Sequence, residues 1–203
     1  MKDLLREGIL SRLMRVEEAM GQTEFLTGIS GTFPSVQNAI EELQNLSTIF
    51  MNRWHRGQSQ QAGNASEKAM VCFDHVVGEI MRARESRKYG GTYAGSPFEV
   101  EMIKPLGLIA TNASLAEHQM VRMAGPGNGS LPSRSNGHAS ITLEKTLNKV
   151  KHRSKLYMNF RITNSRHIFV ICPENTHDGS PESVIEFDVE DFCQLCLQTA
   201  AVM

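Results

Sequence analysis

Along the chain, apolar positions recur at helical spacing in the first half and mostly at strand spacing in the second. Leu5, Ile9, Leu13, Val16 and Met20 are separated by three or four residues, which predicts an amphipathic helix over 2–20 that stops at Gly21. Residues 23–34 read as a Gly- and Thr-rich connector. Ser35 is a suitable N-cap for a second helix, with Val36, Ile40, Leu43, Leu46, Phe50 and Trp54 on one stripe and an end before Gly57. After a polar linker at 58–64, Ser66 caps a third helix reaching about Lys88, with Ala69, Phe73, Val76 or Val77, Ile80 and Met81 inside.

The run YGGTYAGSP at 89–97 breaks the pattern and marks a linker between subdomains. Phe98, Val100 and Met102 then alternate with Glu99 and Glu101 as a strand ended by Pro105, and 106–110 reads as a second short strand. Ser114 and Glu117 fit a capping box for a helix to about Met123. The Gly-, Pro- and Ser-rich stretch 124–139 is poor in apolar residues and reads as a mobile loop. Residues 141–151 are ambiguous: Leu143, Leu147 and Val150 favour a helix, while Ile141-Thr142-Leu143 would also suit a strand.

The clearest signal is 155–172. Leu156, Met158, Phe160 and Ile162 alternate with Lys155, Tyr157, Asn159, Arg161 and Thr163. Asn164-Ser165 suits a tight turn, and Ile168–Ile171 reads as a second strand buried on both faces. Ile185, Phe187 and Val189 form a further strand, and Phe192, Leu195, Cys196 and Thr199 a closing helix. The fold class is therefore α+β: an N-terminal helical hairpin or three-helix part, then a small, mainly antiparallel sheet with a C-terminal helix. The expected organisation is a helical subdomain at 1–88, a linker at 89–97 and an α+β subdomain at 98–203.

A net charge of −1 gives no global field that would draw the chain to nucleic acid or membrane. No apolar run approaches the roughly 20 residues of a bilayer span, so no membrane partner is expected. The acidic, discontinuous N-terminal stretch does not read as a secretory signal, so the expected location is cytoplasmic or nuclear, with four reduced cysteines.

Locally the charge is split. Residues 145–167 carry seven Lys and Arg and no acid, whereas 174–191 carry seven Asp and Glu and no Lys or Arg. On one surface the first block would present Lys145, Lys149, Lys151, Arg153, Lys155, Arg161 and Arg166 to phosphates, with Tyr157 available for stacking. The bland alternative is cross-strand pairing of the two blocks.

Other chemistries have thin support. Cys193 and Cys196 form a C-x-x-C that Cys172 and a His such as His167 or His177 could complete for zinc, but the pair falls in an amphipathic helix pattern. Glu186, Asp188 and Glu190 would share one strand face and could hold a hard cation, though nothing fixes a geometry. No phosphate-binding, nucleophile-elbow or metalloprotease motif occurs, so no catalytic residue and no cofactor is assigned. The balance favours a non-catalytic interaction or assembly protein, a homo-oligomer or a binder of a helical partner, with RNA foremost among nucleic acids on the basic face. The alternative is a small enzyme or metal-binding protein using Cys172, Cys193 and Cys196 or the acids at 186–191.

Overall fold

Ser35 accepts the Asn38 N–H and opens α1 (Val36–His55), whose inner stripe of Ala39, Ile40, Leu43, Leu46 and Phe50 is buried. The computed structural model describes residues 35–175 and 177–203; the helix expected at 2–20 and the connector at 23–34 lie outside the described residues. Gly57, at φ 69°, reverses the chain in the left-handed region that glycine enters without a Cβ clash. α2 (Ser59–Tyr89) follows at once. The linker expected at 58–64 is thus helical from Ser59, because Ala62, Ala65 and Ala69 repeat at helical spacing and are buried small residues that let α1 and α2 approach closely.

The strand expected at 98–102 is instead a short helix, α3 (Pro97–Met102). Ser96 caps it by accepting the Glu99 N–H at 3.1 Å, Pro97 occupies the first turn, and Phe98 and Met102 bury one face four residues apart. Two of the three alternating apolar residues therefore satisfy a helix, and Val100 is left 53% exposed. Pro105, expected to end a strand, begins β1 (Pro105–Thr111). The Ser114–Glu117 capping box is formed and opens α4 (Leu115–Met123). The ambiguous stretch is both things in turn: β2 (Ala139–Thr142) runs into α5 (Leu143–Lys151), with Thr142 as N-cap.

β3 (Arg153–Thr163) and β4 (Arg166–Pro173) form the expected hairpin. Asn164 and Ser165 both take positive φ, 51° and 62°, as a two-residue turn of the primed type requires. β5 (Ser183–Asp188) stops one residue short of Val189, because Asp188 accepts the Glu190 and Asp191 N–H groups and caps α6 (Val189–Ala201).

The five strands form one antiparallel sheet in the order β2-β1-β5-β4-β3. One face carries the larger core, where Phe169, Ile171, Ile185 and Phe187 meet α1, α2, α3, α5 and α6. The other carries a smaller core of Ala113, Val121, Val170, Cys172 and Val184, with Tyr157, Leu131 and Ile168 packed on it. β4 thus buries both of its faces, as its continuous apolar run implies. The large core runs without a break from the helical hairpin to the sheet; residues Phe33–Met203 form one compact unit, and 89–97 lies inside it with Tyr93 buried.

Candidate functional site

The polar face of β3 was expected to project basic groups outward. It turns instead toward the smaller core. Tyr157 packs there 5.8 Å from the His118 ring. Arg161 grips Glu186 with two hydrogen bonds, 2.6 and 2.8 Å, and donates to the Gly129 carbonyl at 3.1 Å. Arg166 donates to Asp188 at 2.6 Å and also pairs with Asp191. Arg153 holds Asp74 of α2 through two hydrogen bonds of 2.8 and 3.0 Å, and Lys149 pairs with Glu182. Lys149, Arg161 and Arg166 of the basic block are therefore joined to the acidic block, and Arg153 to an acid of α2 outside it. Lys145 and Lys151 of α5 are exposed and have no ion-pair partner among the described residues; Lys155 is exposed at the start of β3. Leu156, assigned to the buried side by alternation, is 52% exposed, because the β3–β4 register shifts between Arg153 and Met158.

Asn159 organises the segment that follows α4. Its amide donates to the Val121 carbonyl at 2.7 Å and the Gly125 carbonyl at 3.0 Å, and its oxygen accepts the Gly127 N–H at 3.2 Å. Gly129 donates to the Phe160 carbonyl at 3.0 Å. The backbone comes so close that a Cβ on Gly129 would lie 2.7 Å from the Asn159 Cβ. Gly127 rests on the Trp54 indole of α1, so this irregular stretch, the first part of the loop expected at 124–139, folds around the outer edge of β3.

The residues proposed for metal or covalent chemistry are separated and enclosed. Cys193 and Cys196 lie in the larger core and Cys172 in the smaller one, on opposite faces of the sheet, so the three cannot ligate one ion. Burial pushes the Cys193 and Cys172 thiols up to about 12 and the Cys196 thiol well above its usual value, the wrong direction for a thiolate ligand or nucleophile. The shared face expected of Glu186, Asp188 and Glu190 ends where α6 begins, and Arg161 and Arg166 already hold the first two acids. Among the described residues no three His, Cys, Asp or Glu side chains converge as a metal site would need.

Two histidines are internal. His118 is fully buried, with Nε2 3.0 Å from the Ser183 carbonyl oxygen, while its Nδ1 and the Ser183 hydroxyl have no hydrogen-bond partner. A nucleophile–base pair would need the hydroxyl itself on the ring nitrogen and a way in for substrate. His167 lies between α1 and the sheet, stacked on Phe50 at 4.8 Å, edge-on to Phe160, with Nδ1 2.8 Å from the Ser47 hydroxyl. Burial depresses its pKa to about 4 against the opposing pull of Asp188.

Among the surface hollows of the described residues, two bear on function. A polar one of about 410 Å³ is lined by Asn148, Lys149, His152, Asn175 and Glu182, and the Lys149–Glu182 pair belongs to its wall. The other, of about 450 Å³, is a groove along the outer face of the α1–α2 hairpin, lined by Asn38, Glu42 and Leu46 from α1 and Lys68, Val71 and Cys72 from α2. Leu46 and Cys72 are nearly closed off at its floor, whereas Val71 is 51% exposed and Ile49, one turn beyond Leu46, is 46% exposed. Burial and then the Glu42 carboxylate push the Cys72 thiol up to about 11. Sequence reasoning passed over Val71 and Ile49. The available signal was that both are β-branched apolar residues off the inward stripe of their helix.

Compared with protein-family models, with curated proteins and with solved structures, the chain matches none. Among the described residues no helix is long and apolar enough to cross a membrane.

Proposed function

We propose that this chain is a non-catalytic interaction and assembly protein that docks a polypeptide partner on the outer face of its α1–α2 hairpin. The observation that carries this reading is the groove between the two helices, where Val71 stands exposed above a floor of Leu46 and Cys72, with Ile49 also exposed one turn beyond Leu46. Two packed helices with a shallow apolar furrow between them are a recurrent platform for partner helices, and exposed β-branched residues supply rigid knobs. The test is to replace Val71 with a photo-crosslinking benzoylphenylalanine, irradiate in cells, and weigh the adducts. Covalent attachment to another polypeptide is expected; irradiated protein that stays free of polypeptide adducts refutes the docking surface.

A polyanion remains a secondary proposal, supported by Lys145 and Lys151, which are exposed and have no ion-pair partner among the described residues, whereas the arginines and Lys149 are committed to acids within the chain. Two phosphate contacts correspond to a log–log salt slope of only about −2, which makes RNA a weak and salt-labile partner in this reading.

A further inference from the structure

The groove on the α1–α2 hairpin carries opposite charges on its two walls: Glu42 on α1 and Lys68 on α2. Both are exposed, and neither has an ion-pair partner among the described residues. By contrast Arg153 meets Asp74 and Arg161 meets Glu186. Glu42 and Lys68 flank an apolar strip without joining across it.

We infer that the occupant of this groove is a second copy of the chain, related by a two-fold axis running along the groove, so that α1 of each copy lies over α2 of the other. This inference rests on the docking reading above and names its partner. The charges select the axis. Rotation about a line parallel to the helices exchanges the two walls and keeps heights along the groove, so Glu42 of each copy faces Lys68 of the other, twice over. Rotation about a line across the helices would lay α1 on α1 and leave each wall facing its own sign. In the selected arrangement each helix also runs antiparallel to the one it covers, giving a four-helix bundle with Val71 of each copy in the seam over the groove floor of the other.

The size is adequate for a reversible dimer. α1 has 20 residues, which at 1.5 Å per residue is roughly 30 Å. Two helices about 10 Å wide then offer roughly 600 Å² per copy, or about 1,200 Å² in total, at the small end of specific interfaces. Association in the micromolar range is expected.

Light scattering on the full chain across concentrations tests this, using Glu42→Lys and Lys68→Glu. Each variant alone sets like charges against each other twice, and its dimer is expected to weaken at least tenfold. Mixed in equal amounts, the two variants restore both attractive pairs, so the mixture is expected to return to the mass of a dimer. Circular dichroism matching the wild type confirms that the variants are folded. A wild-type chain that stays monomeric to high micromolar concentration overturns the inference. So does a dimer that both variants leave intact, or a mixture that stays monomeric. Should crosslinks from position 71 reach only other polypeptides, the second copy is wrong and the docking reading stands; should they reach none, both fall.

Discussion

Acidification should loosen the seam between α1 and the sheet, and His167 is the group that makes this measurable. Its ring stacks on Phe50 and meets Phe160 edge-on, and its Nδ1 engages the Ser47 hydroxyl of α1. In the folded protein its pKa is depressed from 6.5 to about 4 by burial, and Asp188, the opposing charge, does not restore it. Above about pH 6.5 the imidazole is neutral in both folded and unfolded chains and costs nothing. As pH falls below 6.5 the unfolded chain takes up a proton that the folded chain refuses until about pH 4. Stability is therefore lost progressively through that window, and the loss is complete below it. At 1.36 kcal/mol per unit the full window amounts to roughly 3 kcal/mol, of which about 2 kcal/mol falls between pH 7 and pH 5. Urea unfolding followed by fluorescence suits the assay, since Trp54, the only tryptophan, packs 4.9 Å from Phe160 in the same seam. His167→Phe keeps the aromatic stack and cannot titrate. The variant will start from a different baseline because Ser47 loses its partner, but its stability should fall by about 2 kcal/mol less than the wild type between pH 7 and pH 5. Parallel pH profiles for the two proteins would refute the assignment of this proton to His167.

Asn159→Ala removes the amide that ties Val121, Gly125 and Gly127 to β3; leaving such buried groups unpaired costs roughly 1–3 kcal/mol. Trypsin should then cut faster after Arg122 and Arg134 than in the wild type, and an unchanged digestion pattern counts against Asn159 as the anchor. The four thiols should resist a disulfide reagent at neutral pH and all react in denaturant, since each is buried; rapid labelling of Cys193 or Cys196 in the folded chain would reopen the metal and redox alternative. Any RNA retardation should vanish with a log–log salt slope no steeper than about −2. A slope near −7 would show that the arginines leave their acids to reach phosphate.

The parts of the fold that were legible are those whose determinants are local. The β3–β4 hairpin could be read because alternation and the Asn164-Ser165 turn act within a few residues, and α4 because its capping box spans four. Local reasoning failed at 98–102, where an alternating pattern of period two also places Phe98 and Met102 one helical turn apart, and the cap at Ser96 decided the matter. That β4 is covered on both faces was legible in its apolar run, but the polar contacts of β3 on the second face were not, for a different reason. Asn159 and Arg161 look solvated along β3 because their partners lie 38 and 25 residues away, at Val121 and Glu186. A buried polar residue with distant partners has the same sequence signature as an exposed one.

The same distance argument explains what the charge split does. Arg161 with Glu186, Arg166 with Asp188 and Asp191, Lys149 with Glu182 and Arg153 with Asp74 each join segments far apart in sequence. Arg161 and Arg166 link the β3–β4 hairpin to β5 and the start of α6, and Arg153 links the foot of β3 to α2. Such pairs do little for stability where they are exposed. They discriminate between arrangements, because a one-residue slip of a strand would turn its arginines to the other face and leave the acids unpaired. Glu42 and Lys68 are opposite charges that no such pair uses. They stand on adjacent helices, with Val71 and Ile49 exposed nearby, and do not pair with each other. A charge pattern that selects neighbours within the fold can select a neighbour outside it by the same electrostatics. That places the specificity of assembly on the α1–α2 groove, because the basic strand's own selectivity is spent on holding the sheet in register.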